Sequence, residues 1–576
     1  MAENHQGARF HAAVRYKISF PAASSHYLIV EARFTATGAN EANLFLPVWT
    51  PGSYLVREYA RNIEPISASG EFRKTSKNRW RVEAGESDEV VFTYRVYCRE
   101  MSVRTNWVEN AFALINGAPT FVAMPEILAE PHEIEFELPN EWRSIATALP
   151  QIGERGFRAA SYDELVDSPI LCGNPAIYRF DVDGIPHTLA NDGEHSVWDG
   201  ARAAADTEKI VRHYRAMWGG LPYENYTFLN LLTEASGGLE HRNSSVLMAS
   251  RWATRTHKAY LGWLHLVSHE FFHVWNVKRL RPVELGPFDY EKENYTRSLW
   301  IAEGITSYYG PLAVRRAGLS TIEEYLGELS DDIRRLDTTP GRLAQSVEES
   351  SWDAWIRLYR PDENSGNSTI SYYTKGAVVA WLLDARIREA TNGAKSLDDV
   401  MRAAFARFSG EKGFTTEEFK RVCCEIAGMR LDDFFRTTVE STEELDYTQA
   451  LDWFGLRFKE PEAPQHAGPV MGCATKAEHG RLVVTKVPRD TPAAHAGISV
   501  DDEIIAIDDF RVRPDHLSKR LECYRPGDKV SVMLARRELL MRVNVTLAEE
   551  PKRGTLEYRP DANEAQKRNA ASWIGL

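Results

Sequence analysis

The amino-acid sequence predicts a multidomain α+β protein, and three observations lead to that prediction. The chain has 576 residues, more than one hydrophobic core usually accommodates, so we expect roughly three to five compact units. Strand-like alternation fills the first part of the chain, whereas helical spacing dominates residues 298–442. A second β-rich module begins near residue 450.

The N-terminal strands alternate apolar and polar residues and are separated by clusters of Gly, Pro, Asn and Ser. They are Tyr27–Thr35, Asn43–Trp49, Glu89–Tyr97 and His132–Leu138. This pattern predicts a β-sandwich-like domain over residues 1–178. Within it, Pro51-Gly52-Ser53-Tyr54 has the composition of a fixed turn, and we favour plain turn chemistry over substrate contact.

The central domain is predicted over residues 179–447. Its first part, 179–320, combines strands and helices, as expected for an active-site sheet against a helix. The segments are Ala176–Val182, Asp206–Trp218, Tyr226–Leu232, Ser245–Met248 and Tyr260–Asn276. The second part, 321–447, is predicted to be helical, with an apolar stripe over Ala377–Glu389.

The C-terminal region, residues 448–550, has the pattern of a compact β-rich module with a short helix near Asp515–Cys523. The charged, proline-bearing segment Lys459–His466 interrupts it. Residues 551–576 are polar, which predicts a loosely held tail.

Composition excludes several classes of function. The net charge of −13 gives no support to nucleic-acid binding. The six cysteines are dispersed without a C-x-x-C pair, which fits neither a disulfide framework nor a cysteine zinc site. No apolar run reaches the length of a membrane span, and the opening residues have no signal-like core. We therefore expect a soluble cytoplasmic protein, or a periplasmic one if a signal was removed.

A zinc-binding pattern lies in the predicted helix Tyr260–Asn276. His269 and His273 stand one turn apart on the same face, so their imidazoles converge on one point that suits a single Zn²⁺. Glu270 is close enough to take a proton from water and is the candidate general base. The alternative is a buried helix with two packed histidines.

A catalytic zinc site needs a third ligand. Glu303 lies in a second apolar, helix-like run, Ser298–Val314, far enough downstream for the chain to turn and return. His269, His273 and Glu303, with a water in the fourth position, would form an open catalytic site with one zinc ion per chain.

Two further motifs offer groups for a substrate. Gly237 and Gly238 would let the backbone approach a ligand closely, and Glu240, followed by His241, could present a carboxylate to a peptide's protonated N-terminus. The alternative is a glycine turn with a solvated carboxylate.

The second motif contains two tyrosines, Tyr372 and Tyr373, before the Ala377 helix. Amide hydrolysis needs a donor for the developing oxyanion, and a tyrosine hydroxyl can provide it. On chemical grounds either tyrosine, or neither, could do so. The alternative is aromatic packing at a helix start.

Together these motifs resemble the gluzincin aminopeptidases. The matching patterns are His-Glu-Phe-Phe-His-Val-Trp-Asn, Trp300-x-x-Glu303-Gly304, Gly-Gly-x-Glu-His and Tyr373-x-Lys375-Gly376. With Pro-Val-Trp-Thr-Pro-Gly-Ser-Tyr at residues 47–54, the sequence is similar to the glycyl aminopeptidase family in particular. The resemblance implies a thermolysin-like zinc catalytic domain whose C-terminal half is helical.

The resemblance also implies a role for each site residue. Zinc would be bound by His269, His273 and Glu303, with Glu270 as general base, Tyr373 as oxyanion donor, and Glu240, Gly237, Gly238 and His241 at the substrate. The chain departs from the better-known zinc aminopeptidases in a longer interval before the third ligand and in Gly-Gly-x-Glu-His for Gly-x-Met-Glu-Asn. Ser307, where thermolysin-like enzymes carry Asp, argues against that branch.

The C-terminal region resembles a PDZ domain of the bacterial protease type. The matching residues are Thr491–Ala494, Ala496–Ile498, Asp502-x-Ile504 and Arg525–Asp528. Asp501 replaces the usual Gly, and Phe454–Phe458 is the candidate carboxylate loop. A PDZ groove binds an extended peptide by strand addition. The alternative is a domain packed permanently on the catalytic unit with its groove blocked.

These expectations combine into a zinc-dependent aminopeptidase that releases small N-terminal residues, Gly or Ala, from peptides with a free N-terminus. A further peptide ligand is possible at the PDZ groove, and no nucleic acid or membrane is expected. The alternatives are a zinc endopeptidase with the same core, and a PDZ-based peptide-binding adaptor whose zinc is only structural.

Overall fold

The computed structural model describes two compact units. The described residues are 14–35, 41–84, 89–459, 468–549 and 554–575. The first unit comprises residues 1–295, 309–319 and 402–415, and the second comprises 296–308, 320–401 and 416–576. Within the described ranges, no helix is long and apolar enough to cross a membrane. The predicted domain boundaries stay predictions, and most of the predicted segment Lys459–His466 lies outside the described residues.

The first unit begins with β-sheets. Its strands and short helix are β1 (Val14–Ser19), β2 (Tyr27–Thr35), β3 (Glu41–Phe45), β4 (Ile63–Ala68), β5 (Phe72–Ser76), β6 (Arg79–Glu83), β7 (Glu89–Tyr97), β8 (Trp107–Val108), β9 (Ala113–Ile115), β10 (His132–Glu137), β11 (Ser144–Ala146), β12 (Gly156–Ala159), α1 (Tyr162–Val166) and β13 (Ile170–Gly173). One sheet has the order β12-β10-β1-β2-β7-β4, another β11-β13-β9-β8 and another β3-β6-β5. Strands β1 and β10 are parallel, and their neighbours in that sheet are antiparallel.

Alternation of side chains explains how these sheets form a core. In β2, Leu28, Val30, Ala32 and Phe34 are buried while their neighbours are more exposed. The inward residues of β1, β7 and β10 join the same hydrophobic cluster. The predicted β-sandwich-like N-terminal domain is confirmed.

The first unit continues with a mixed sheet and two helices. These elements are β14 (Ala176–Val182), β15 (Ile185–Asp192), α2 (Gly200–Trp218), β16 (Tyr226–Leu232), β17 (Gly237–Glu240), β18 (Ser244–Ala249) and α3 (His257–Phe272). The strand order is β14-β15-β16-β18-β17, in which β15, β16 and β18 are parallel and β17 is an antiparallel strand at one end.

Helix α3 carries the zinc-binding pattern, but its bounds differ from the predicted Tyr260–Asn276. It begins at His257, where Thr256 caps it by accepting a hydrogen bond from the Ala259 amide, and it ends at Phe272. Beyond that residue the backbone tightens, because the amides of Val274 and Trp275 bond to carbonyl oxygens three positions back. The predicted end is therefore wrong by one turn.

Helices dominate residues 300–454, which belong mainly to the second unit, although α4 and α9 each include residues of both units. A π-helical turn, Trp300–Gly304, leads into α4 (Ile305–Arg316). The following helices are α5 (Ile322–Asp337), α6 (Val347–Trp352), α7 (Ser365–Ser368), α8 (Tyr372–Ala390), α9 (Leu397–Phe408), α10 (Thr416–Ala427), α11 (Asp432–Phe435) and α12 (Thr448–Phe454). The predicted helical half of the central domain is confirmed, and its apolar stripe lies in the buried helix α8.

Residues 468–549, which we call the C-terminal module, have their own core. With the flanking segments, the elements are β19 (Leu456–Phe458), β20 (Pro469–Val470), β21 (Ala474–Glu478), β22 (Arg481–Lys486), α13 (Pro492–His495), β23 (Glu503–Ile507), β24 (Phe510–Arg511), α14 (Leu517–Leu521), β25 (Lys529–Arg536), β26 (Leu539–Thr546), β27 (Ala548–Glu549), β28 (Leu556–Tyr558) and α15 (Glu564–Ile574). The main sheet has the order β21-β22-β23-β25-β26. Asp501 has a φ of 70°, so it occupies the left-handed position for which glycine is usual and aspartate is tolerated.

Two C-terminal predictions are wrong. The carboxylate loop does not lie at Phe454–Phe458, because β19 pairs with β28 outside the module's main sheet. Within the predicted tail, residues 554–575 are not loosely held, because α15 has a capping box at Asn563 and buries Trp573, whose ring stacks on Phe454 with centroids 4.2 Å apart. The polar composition concealed one apolar face of a capped helix.

Candidate metal and substrate site

The two histidines of the zinc-binding pattern face each other at the end of helix α3. His269 lies in the helix and His273 follows its last residue, and their Nε2 atoms are 3.2 Å apart. His273 Nδ1 lies 2.8 Å from the Asn276 carbonyl oxygen, which can only accept, so Nδ1 carries the proton and donates. The lone pair of neutral His273 is therefore on Nε2, toward His269.

This pair has the geometry of two metal ligands. Two imidazoles on a tetrahedral Zn²⁺, with Zn–N bonds of about 2.0–2.1 Å, bring their nitrogens to about 3.3 Å from each other. The bond from His273 Nδ1 to a backbone carbonyl is the contact that orients a ligand histidine and fixes its tautomer. The donor set of the first unit thus fits a zinc ion.

Glu270 lies beside the histidine pair, and Gly238 makes room for it. The side chain of Glu270 is buried, with 5% exposure. A Cβ added to Gly238 would lie 2.0 Å from Glu270 Oε1 and 2.3 Å from its Cδ. No larger residue fits at this point of β17 without moving the carboxylate, so Gly238 supports the candidate general base.

Glu240 ends strand β17 close to the same group. A carboxylate oxygen of Glu240, one of Glu270 and a ring nitrogen of His273 lie within 4.8 Å of one another. Glu240 is 3% exposed, and its buried Oε1 has no hydrogen-bond partner among the residues that the structure describes. Two buried carboxylates this close favour a cation between or beside them.

The turn at Pro51–Tyr54 lies against Glu240, although the sequence favoured plain turn chemistry there. Gly52 has a φ of 87°, and a Cβ added to it would lie 2.5 Å from Glu240 Oε1. The Ser53 amide donates to the Thr50 carbonyl oxygen over 3.1 Å, and Ser53 is fully buried. A turn of the N-terminal domain therefore forms part of the wall around the Glu240 carboxylate.

Replacing Gly52 with alanine tests this contact. We expect Gly52→Ala to lower kcat/KM on an amino-acyl amide by about 100-fold, because the added Cβ displaces the Glu240 carboxylate. Gly184→Ala is the matched control, since Gly184 has a φ of 81° but nothing within 4 Å of its added Cβ. Equal losses in the two variants would mean that backbone strain alone is responsible.

His241, the other polar residue of this motif, is anchored away from solvent by Asp167. Its Nδ1 lies 3.0 Å from Asp167 Oδ1, which also accepts from Lys278 Nζ over 2.8 Å. Burial alone would raise the pKa of the Asp167 carboxyl, but Lys278 and His241 outweigh it and hold that pKa well below its usual range. This ionised group fixes the chain directly after Glu240. Gly237 has open space where its Cβ would lie, so packing does not require glycine there.

In the second unit, Glu303 lies in the π-helical turn and is buried. A π-helical turn widens the helix by one residue and is frequent at functional sites. The next residue, Gly304, packs on Gly376 of helix α8: a Cβ added to Gly304 would lie 2.6 Å from the Gly376 Cα, and the reverse contact would be 2.8 Å. This backbone crossing explains both glycines and holds the Glu303 turn against the start of α8.

Replacing Gly376 with alanine is expected to push the π-helical turn away from the start of α8. Gly376→Ala should lower the free energy of unfolding by about 1–3 kcal/mol, because the new Cβ meets backbone that cannot move aside cheaply. Gly327→Ala in helix α5 is the control, as nothing lies within 4 Å of its added Cβ, and it should be neutral or stabilising. Urea unfolding of both variants measures the difference. Equal stability would show that the crossing tolerates a methyl group.

Tyr373 lies at the start of α8, where the structure distinguishes it from Tyr372. Its hydroxyl is 3.1 Å from that of Tyr359, and its ring stacks on Tyr372 with centroids 4.6 Å apart. Burial, followed by the nearby Glu303 carboxylate and Tyr359, raises the pKa of the Tyr373 hydroxyl well above its usual value. Tyr373 therefore stays protonated and can donate. Tyr372 is fully buried.

Three contributors to the site were not predicted from sequence: Asn276, Tyr359 and the contact of Gly52 with Glu240. Asn276 belongs to the His-Glu-Phe-Phe-His-Val-Trp-Asn run, so its position was a usable signal. Tyr359 lies in an irregular segment without a motif, and nothing in the sequence marks it. The turn at Pro51–Tyr54 was recognisable from its composition, but Glu240, which Gly52 contacts, is remote in the chain.

Family comparisons match three parts of the chain. A family described as M61 glycyl aminopeptidase matches residues 262–379, the peptidase M61 N-terminal domain matches 15–174, and a PDZ domain matches 469–547. The last match confirms the predicted PDZ fold of the C-terminal module. Among curated proteins, no sequence matches this chain.

Solved structures are also similar to this chain. An aminopeptidase N family protein from Idiomarina loihiensis shares 31% identity, covers 97% of this chain and 100% of its own, and gives a TM-score of 0.91. An M1 zinc metallopeptidase from Deinococcus radiodurans, bound to Tyr-Ser-Ala, shares 12% identity over 75% of this chain and 94% of its own, with a TM-score of 0.48.

Proposed function

Because this chain belongs to the M61 glycyl aminopeptidase family and is a metalloaminopeptidase, we propose that it is a zinc enzyme that removes glycine and alanine from the N-termini of peptides. The observation that carries this proposal is the buried Glu240 carboxylate within 4.8 Å of Glu270 and His273. An aminopeptidase has to hold a peptide's α-ammonium group beside its catalytic groups, and a buried carboxylate is suited to that task.

We assign His269, His273 and Glu303 as the ligands of one zinc ion per chain. The facing Nε2 atoms support the two imidazoles. The family pattern and the glycine crossing that holds its turn support Glu303. When bound, zinc would supply Lewis acidity to the substrate carbonyl and to water.

The chain's own residues perform the proton transfers. Glu240 holds the α-ammonium group, so that the first peptide bond lies next to Glu270. Glu270 takes a proton from the attacking water and passes it to the leaving amine. Tyr373, which stays protonated, donates a hydrogen bond to the oxyanion that develops on the former carbonyl oxygen.

The preference for small residues is supported by how closely the surroundings pack on Glu240. Gly52 and Gly238 bring backbone to the Glu240 and Glu270 carboxylates, and a Cβ at either position would displace the facing carboxylate. We assign Gly237, Gly238 and His241 to this wall of the substrate site, with His241 holding its place through Asp167. A bulky first side chain would compete for the same space.

A panel of amino-acyl amides, combined with metal analysis, tests the proposed function. We expect one zinc per chain, loss of activity on chelation and recovery with Zn²⁺, and the highest kcat/KM for Gly and Ala amides. Comparable activity on Leu and Phe amides would overturn the small-residue preference. Full activity after complete metal removal would overturn the zinc assignment.

The alternatives considered from sequence have less support. An adaptor with a purely structural zinc does not agree with membership of a metalloaminopeptidase family. An endopeptidase would need no buried carboxylate for an ammonium group. N-terminal acetylation of a peptide should abolish its cleavage, and an unchanged rate on the blocked peptide would favour the endopeptidase.

A further inference from the structure

Asn367 connects the helical region to the C-terminal module through both ends of its side-chain amide. Its Nδ2 donates to the Val487 carbonyl oxygen over 3.1 Å, and the Arg489 backbone amide donates to its Oδ1 over 2.8 Å. The amide thus replaces a backbone peptide group in pairing with the module. We infer that Asn367 is a positioning residue, through which the C-terminal module orients the oxyanion donor Tyr373.

The segment around Asn367 carries a partner of Tyr373. Asn367 lies in helix α7, and the carbonyl oxygen of Ser368 in that helix accepts from Arg357 Nη1 over 3.2 Å. Two residues after Arg357 stands Tyr359, whose hydroxyl contacts that of Tyr373. The same segment continues into helix α8, of which Tyr373 is the second residue. Movement of α7 would therefore reach Tyr373 by two routes, through Tyr359 and through the start of α8.

In the C-terminal module, the loop that contains Val487 and Arg489 is itself held by hydrogen bonds and close packing. Thr491 Oγ1 donates to the Pro488 carbonyl oxygen over 2.8 Å, and the Ala493 amide donates to the Met471 carbonyl oxygen over 2.7 Å. A Cβ added to Gly472 would lie 2.6 Å from the Thr491 Cβ, so the loop packs tightly on the residues that lead into β21. The module thus offers α7 a fixed support.

The inference rests on the proposed role of Tyr373, and it predicts a specific kinetic signature. An oxyanion donor acts mainly in the transition state, and small displacements weaken it. Loosening the Asn367 contact should therefore lower kcat and leave KM nearly unchanged. A residue that only held the fold together would instead change stability, or both constants.

The test uses the full-length enzyme loaded with zinc and glycyl amide as substrate. Asn367→Ala should lower kcat about fivefold, the equivalent of about one net hydrogen bond, with KM within about twofold of wild type. Asn367→Asp keeps the acceptor for Arg489 and loses the donor to Val487, so its kcat should lie between those of Asn367→Ala and the wild type. Glu363→Ala, an exposed change in the same segment, should leave kcat unchanged. Wild-type kcat in Asn367→Ala would overturn the inference.

A double-mutant cycle and hydrogen exchange separate this inference from the proposed function. In a Tyr373→Phe background, Asn367→Ala should have no further effect on kcat, and an undiminished effect would overturn the inference. Wild-type kcat in Tyr373→Phe alone would instead contradict the oxyanion assignment. Exchange of the amides in residues 357–371 then decides the role of Asn367: faster exchange in Asn367→Ala supports it, and unchanged exchange overturns it.

Discussion

Replacing Glu270 with glutamine is expected to lower kcat by about 10³- to 10⁴-fold while the zinc content stays at the wild-type value. The two side chains have nearly the same shape, so the space beside Gly238 remains filled. Glutamine cannot accept a proton from water at neutral pH, and this step is lost. Steady-state kinetics on glycyl amide and metal analysis of the same preparation measure both quantities.

The metal content decides between two roles for Glu270. Glu240, Glu270 and His273 also form a group that could hold a cation, so Glu270 could in principle be a ligand. Loss of zinc together with activity would assign it to the metal, and retained activity would remove it as the base. Glu224→Gln, an exposed change in the first unit, should leave both kcat and zinc content unchanged.

The fold was predictable where a local sequence pattern determines the bounds of a strand or helix. The strands Tyr27–Thr35 and Glu89–Tyr97 have the predicted bounds, because alternation records which face of a strand is buried. The pairing of β1 with β10 was not predictable, because nothing local in either strand identifies a parallel partner so distant in the chain. The end of α3 and the packing of Trp573 likewise depend on contacts made outside their own segments.

The candidate site also combines residues that a local pattern predicts with contacts that depend on distant parts of the chain. The histidine pair and Glu270 follow from helical geometry alone, since residues one turn apart share a face. Of the glycines, only the Gly237-Gly238 pair was predicted to allow close approach. The groups that approach Gly238, Gly304 and Gly52 could not be identified from sequence. Gly238 faces Glu270, Gly304 faces Gly376 and Gly52 faces Glu240. A glycine in a sequence indicates that space is needed, whereas the neighbour that uses this space is determined by the tertiary fold.

The Glu240 carboxylate determines whether the enzyme trims one residue or cuts within a chain, so Glu240→Gln is the second change with a large expected effect. We expect kcat/KM on glycyl amide to fall about 30- to 1000-fold, as for loss of one partner from a buried charge pair. The rate on an N-acetylated glycyl amide has no such interaction to lose and should stay at its low wild-type value. Discrimination between the free and the blocked substrate should therefore shrink by the same factor.

This ratio separates substrate binding from a general loss of structure. If Glu240 only supported Glu270, the substitution would lower the rates on both substrates and leave their ratio unchanged. If Glu240 holds the ammonium group, only the rate on the free amine falls, and Gly52→Ala should shift the ratio in the same direction because its Cβ displaces this carboxylate. The turn of the N-terminal domain and the last residue of β17 would then act as one binding element for the substrate's amino end.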